Sequence, residues 1–115
     1  MTINKIIPPT KTKTYRSINS QISAWVNKNS VLWTDKGRWY AGVTNDEKRR
    51  KIEHTVTNDE KMKAWKCWNA KTLRIASALE DSLSHRGFSN APFTRGAKET
   101  SKFIYVYKKF PTGFE

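Results

Sequence analysis

A chain of 115 residues folds as one domain with a modest core, which leaves little room for a second folding unit. Twenty-two Lys and Arg against ten Asp and Glu give a net charge of +12, so the expected partner is a polyanion, and nucleic acid explains that charge better than a membrane surface does. No run approaches the roughly 20 apolar residues of a spanning helix, and the single cysteine, Cys67, excludes an internal disulfide and a thiolate zinc cluster.

Residues 1–14 are rich in Lys, Thr and Pro, with Pro8 and Pro9 blocking a helix, and they read as a flexible basic arm ahead of a domain over residues 15–115. The opening residues lack the apolar core and cleavage pattern of a signal peptide, so a cytoplasmic location is expected. Residues 1–51 hold 11 basic and 3 acidic side chains, which places the basic bias in the N-terminal half. Ile18, Ile22, Trp25 and Val26 fall at helical spacing and predict a short amphipathic helix over residues 17–27. Two strand-forming runs, residues 31–34 and 38–43, flank Asp35-Lys36-Gly37, which is hairpin turn chemistry. Thr44, Asn45 and Asp46 then offer N-caps for a helix that opens on Glu47 and frays near Thr55. Residues four apart share a helix face, so Asp46, Arg50 and His54 project the same way, and Tyr40 stands in the strand that feeds them. VTNDEK recurs at 43–48 and 56–61, an offset of 13 residues that is too short for a solenoid unit and reads as reuse of a helix start.

The tripeptide Tyr40-Ala41-Gly42 followed by Arg50 and His54 resembles the second half of the GIY-YIG nuclease motif, in which YIG precedes an arginine and a histidine on the next helix. The resemblance covers residues 30–109 and implies the remaining elements. Residues 62–70 correspond to a third strand, with Cys67 expected as a small buried apolar side chain. Thr72 corresponds to the N-cap of a helix over residues 73–86 that Gly87 closes, and that helix carries Glu80 at the place of the family's metal-binding glutamate. Residues 88–101 form a loop made basic by Arg95 and Lys98, and residues 102–109 a closing strand. The chain departs from the pattern in the first strand, where ungapped alignment on Gly37 puts Ser30 at the family's first tyrosine; Tyr15 and Tyr105 are possible substitutes.

Each of these residues has a plainer reading. Tyr40 is equally a strand filler, and Arg49, Arg50 and Lys51 equally the solvated face of a basic helix. His54 is equally a cation at a helix C-terminus. Glu80 interrupts an apolar stripe expected at Leu73, Ala76 and Leu83, so its carboxylate needs a cation nearby, either a divalent metal or an arginine such as Arg74. The tryptophans Trp33, Trp39, Trp65 and Trp68, with Tyr107, are core by default.

The expected fold is α/β of the α+β type: a small, mostly antiparallel sheet flanked by helices, resembling the GIY-YIG nuclease fold. The resemblance implies a small DNA endonuclease with catalytic Tyr40, Arg50, His54 and Glu80, in which Mg²⁺ or Mn²⁺ on Glu80 neutralises the phosphate and aids the leaving oxygen. Arg50 would hold a nonbridging oxygen, and Tyr40 or His54 would orient or deprotonate water. Arg49, Lys51, Arg95 and Lys98 would contact DNA, with RNA and the oligomeric state left open. The alternatives are a basic nucleic-acid-binding module that keeps the fold without catalysis, and an interaction protein that blocks an acidic partner. Glycine-rich phosphate loops, paired-histidine zinc sites and nucleophile elbows are absent from the sequence.

Overall fold

The computed structural model describes residues 7–29, 39–53, 62–90 and 101–109. Helix α1 spans Lys13–Asn29, longer at both ends than its apolar periodicity alone predicts. The reason at its start is local: the Thr12 hydroxyl oxygen accepts the Tyr15 N–H at 3.1 Å and donates to the Pro9 carbonyl at 2.8 Å, closing a 3₁₀ turn over Pro9–Lys11. Residues 9–14 of the expected basic arm therefore belong to the folded domain. Tyr15, Ile18, Ile22 and Val26 form the buried stripe of α1.

Strand β1 (Trp39–Thr44) leads into α2 (Glu47–Ile52); β2 (Met62–Asn69) leads into α3 (Leu73–His85), and the two-residue β3 (Ser89–Asn90) and β4 (Phe103–Lys109) complete the domain. The sheet runs in the order β2-β4-β1-β3. The last strand, β4, lies in the middle and is antiparallel to both β1 and β2, while β3 pairs parallel to β1. The first strand of the expected hairpin, residues 31–34, lies outside the described residues. Both edges of β1 are nevertheless taken at Tyr40 and Ala41, by Tyr107 and Val106 on one side and by Ser89 and Asn90 on the other. No helix among the described residues is long and apolar enough to cross a membrane.

Side chains alternate across a strand, and here the alternation sorts the chain into two layers. Trp39, Ala41 and Val43 of β1, Trp68 of β2 and Ile104 and Val106 of β4 pack in one cluster with α1 and with Ile75, Ala76, Leu79 and Leu83 of α3. Trp25 of α1 meets Trp39 and Trp68 edge-on at centroid distances of 5.3 and 5.7 Å, so three indoles pin α1 under the sheet. Lys108 shares this side; its buried ammonium donates to the carbonyl of Asn29, the last residue of α1, at 3.3 Å and lies 5.6 Å from the Trp39 ring centroid. The opposite side of the sheet carries a second, aromatic cluster of Tyr105 and Tyr107 with Tyr40, Trp65 and Cys67.

Helix α3 follows its sequence signals closely. The Thr72 hydroxyl oxygen accepts the Ile75 N–H at 3.2 Å, and Gly87 takes φ 100° just past the C-cap Arg86, a left-handed conformation that glycine adopts freely. Its buried stripe is Ile75, Ala76, Leu79 and Leu83, not the expected 73, 76, 80 and 83, because the helix is rotated so that Leu79 faces the sheet. Glu80 then falls on the half-buried flank of that stripe.

Candidate functional site

On the aromatic side of the sheet the register sets three residues in one row: Trp65 pairs with Tyr107, and Tyr107 with Tyr40. Their rings stack along that row at 5.6 Å and 5.2 Å between centroids, tilted by 21° and 11°. In the next row Cys67 pairs with Tyr105, and Tyr105 with Gly42. The Tyr105 ring, stacked on Trp65 at 4.9 Å, leans over Gly42, where a Cβ would collide with Tyr105 Oη and Cζ. The glycine of the Tyr40-Ala41-Gly42 tripeptide is thus required by close approach of a ring.

Helix α2 lies on this same side. Asp46 caps it by accepting the Arg49 N–H at 3.0 Å, and its own N–H donates to Thr44 Oγ1 at 3.1 Å, which fixes the angle at which the helix leaves β1. Two side chains tether it to the aromatic row: Trp65 Nε1 donates to Glu47 Oε2 at 3.3 Å, and Lys51 Nζ stands 6.0 Å from the Trp65 centroid. Arg50, three residues after Glu47, shares their face. Its side chain is only 12% exposed and pairs with Glu53 at 3.4 Å, so the guanidinium is largely withdrawn from the solvated fringe expected of a basic run. Lys48, Arg49 and Lys51 supply the exposed positive charge of the helix, with Arg49 Nη2 donating to Asn45 Oδ1 at 2.9 Å.

Tyr40 and Arg50 therefore stand on one side of the sheet. Glu80 belongs to α3, the helix packed on the other side. Burial, and then the neighbouring charge of Asp81, push its carboxyl above the usual carboxylate range. A divalent ion held by Glu80 would sit on the α3 side, so the residues present do not fit one metal centre shared with Tyr40 and Arg50. Among the described residues no three His, Cys, Asp or Glu side chains are grouped as metal ligands. Cys67 is half-buried between Tyr105 and α2, and burial followed by the charge of Glu47 pushes its thiol up to about 12, so it stays a protonated, inert side chain at neutral pH. His54, Ser30, Arg95 and Lys98 lie outside the described residues.

Of the substitutes for the missing first tyrosine, Tyr15 is buried on α1, in the core on the far side of the sheet. Tyr105 is on the correct side but is committed to Gly42. The tyrosine that meets Tyr40 is Tyr107, which the sequence alone assigns to the core. Its signal is the i, i+2 pair Tyr105 and Tyr107, which must share one side of a strand; what sequence lacks is the pairing of β4 with β1. Comparison with family models, with curated proteins and with solved structures returns no match for this chain.

Proposed function

We propose that the chain binds DNA on the α2 side of its sheet and cleaves a phosphodiester bond there. The observation that carries this reading is the inward-turned Arg50 on the same sheet side as Tyr40. A guanidinium held on a short helix, with one edge paired to Glu53, keeps further N–H donors for nonbridging phosphate oxygens, and its fixed positive charge would oppose the charge that develops at phosphorus. The half-buried Tyr40 phenol can orient a water toward that phosphate, because its hydroxyl both donates and accepts. Exposed Lys48, Arg49 and Lys51 would hold the flanking backbone by charge alone and so give affinity without sequence choice.

A second reading is a DNA-binding module without cleavage, and one observation favours it: Glu80 lies on α3, which packs on the side of the sheet opposite Tyr40 and Arg50. Incubation of supercoiled plasmid with purified protein, with Mg²⁺, with Mn²⁺ and with EDTA, separates the two. Nicking by the wild type and its loss in Tyr40→Phe support the nuclease. Salt-sensitive binding with no nicking under any condition supports the module.

A further inference from the structure

We propose that Trp65 is a stacking platform for an unpaired nucleobase, so that the nucleic acid held on the α2 side is single-stranded where it crosses the aromatic row. The inference rests on the proposed binding of nucleic acid on that side and names the kind of strand it takes. The rings of Trp65, Tyr107 and Tyr40 lie nearly parallel in one row, and the ends of the row differ from its middle: Tyr107 is fully buried, whereas Trp65 and Tyr40 are half-buried. A planar ligand can extend such a stack at an end and not within it. Tyr40 is the end beside β3, and Trp65 is the end on β2, the outer strand of the described sheet.

Trp65 is held in place from two directions. Its Nε1 donates to Glu47 Oε2 at 3.3 Å, and its ring stacks on Tyr105 at 4.9 Å with a tilt of 16°. An indole fixed in this way loses little freedom when a ligand stacks on it, which favours binding. Charge points to the occupant. Exposed Lys51 holds its ammonium 6.0 Å from the Trp65 centroid, at the outer limit of a cation–π contact, and exposed Lys48 and Arg49 lie on the same short helix. A flat π-face beside basic side chains fits a base together with its phosphate. An intact duplex offers no such base, because each paired base has both faces covered by its neighbours in the stack, so a ring on a sheet reaches only a base that is unpaired.

The test is fluorescence anisotropy with three labelled probes of equal length at one salt concentration: oligothymidylate, an abasic strand and a duplex. Wild type should bind oligothymidylate about tenfold or more tightly than the abasic strand, since charge and length are equal and only the bases differ. Trp65→Leu should lose that preference, and Trp65→Phe, which keeps a ring, should retain part of it. If Trp65→Leu melts early, photocrosslinking of wild type to oligothymidylate carrying 5-iodouracil decides: an adduct on Trp65 supports the platform, and adducts only elsewhere overturn it. Equal affinity of wild type for the thymidylate and abasic strands also overturns it, while salt-sensitive binding of the duplex in the same experiment leaves the proposed function standing. No binding to any of the three probes overturns both.

Discussion

Gly42 is fixed by the size of its neighbour, since the Tyr105 ring occupies the space a side chain would need. Gly42→Ala should destabilise the fold by about 2 kcal/mol, the usual range for overpacking a filled core, read as a lower denaturant midpoint. Combining it with Tyr105→Leu should return part of that loss, and strict additivity of the two changes would show that the ring is not what Gly42 accommodates. Glu80 presents the opposite case, a residue whose type conflicts with its surroundings. Its folded pKa is raised, so the native state binds a proton more tightly than the unfolded chain, and stability falls as pH climbs from the ordinary carboxylate range through the folded value. Glu80→Gln should therefore raise Tm at neutral pH without metal, and the gain should vanish in acid below the unfolded pKa. An unchanged or lower Tm at pH 7 would mean that the carboxylate is paired.

The elements most legible in the sequence are those that carry their own stop and start signals. Thr72 and Gly87 bound α3 within a residue of expectation, because a capping hydroxyl and a left-handed glycine act locally. Thr72→Ala should cost about 1 kcal/mol, measured by chemical denaturation, and Thr72→Asp should restore most of it. The rotation of α3 is legible in the residues but differs from the expected stripe: Ile75, Ala76, Leu79 and Leu83 are wholly apolar, whereas the stripe through Leu73, Ala76 and Leu83 contains Glu80, and packing against β1 and β4 buries the apolar one. The start of α1 is hidden by Pro8 and Pro9, which halt a helix yet also lead into the 3₁₀ turn that Thr12 closes. Strand order is the largest gap. Nearness in sequence predicts that consecutive strands pair, whereas β4 enters between β1 and β2, and no local signal specifies which strand a closing strand will join. The candidate site follows the same division: Tyr40 and Arg50 are a short strand-to-helix turn apart and are legible, while Tyr107 depends on a long-range pairing and is not.

At the scale of the molecule, the sheet divides the chain into a packing side, where α1 and α3 bury the aliphatic core, and an aromatic side, where α2 brings its basic run. On the proposed function, a net charge of +12 makes counterion release the main driving force for DNA binding, so log K should fall linearly with log salt. Isothermal titration at several salt concentrations checks this, and an affinity that ignores salt would contradict a phosphate-binding surface. Lys48→Ala and Arg49→Ala should each reduce that slope by about one while leaving the cleavage rate of bound DNA unchanged. In the proposed function Arg50 is the group that meets the reacting phosphate. The most direct measurement is the nicking rate of Arg50→Ala and Arg50→Lys at saturating protein: the account predicts a loss of about 100-fold or more for Ala, only partly recovered by Lys, with Tm retained in the Lys variant. Wild-type nicking by Arg50→Ala would contradict it.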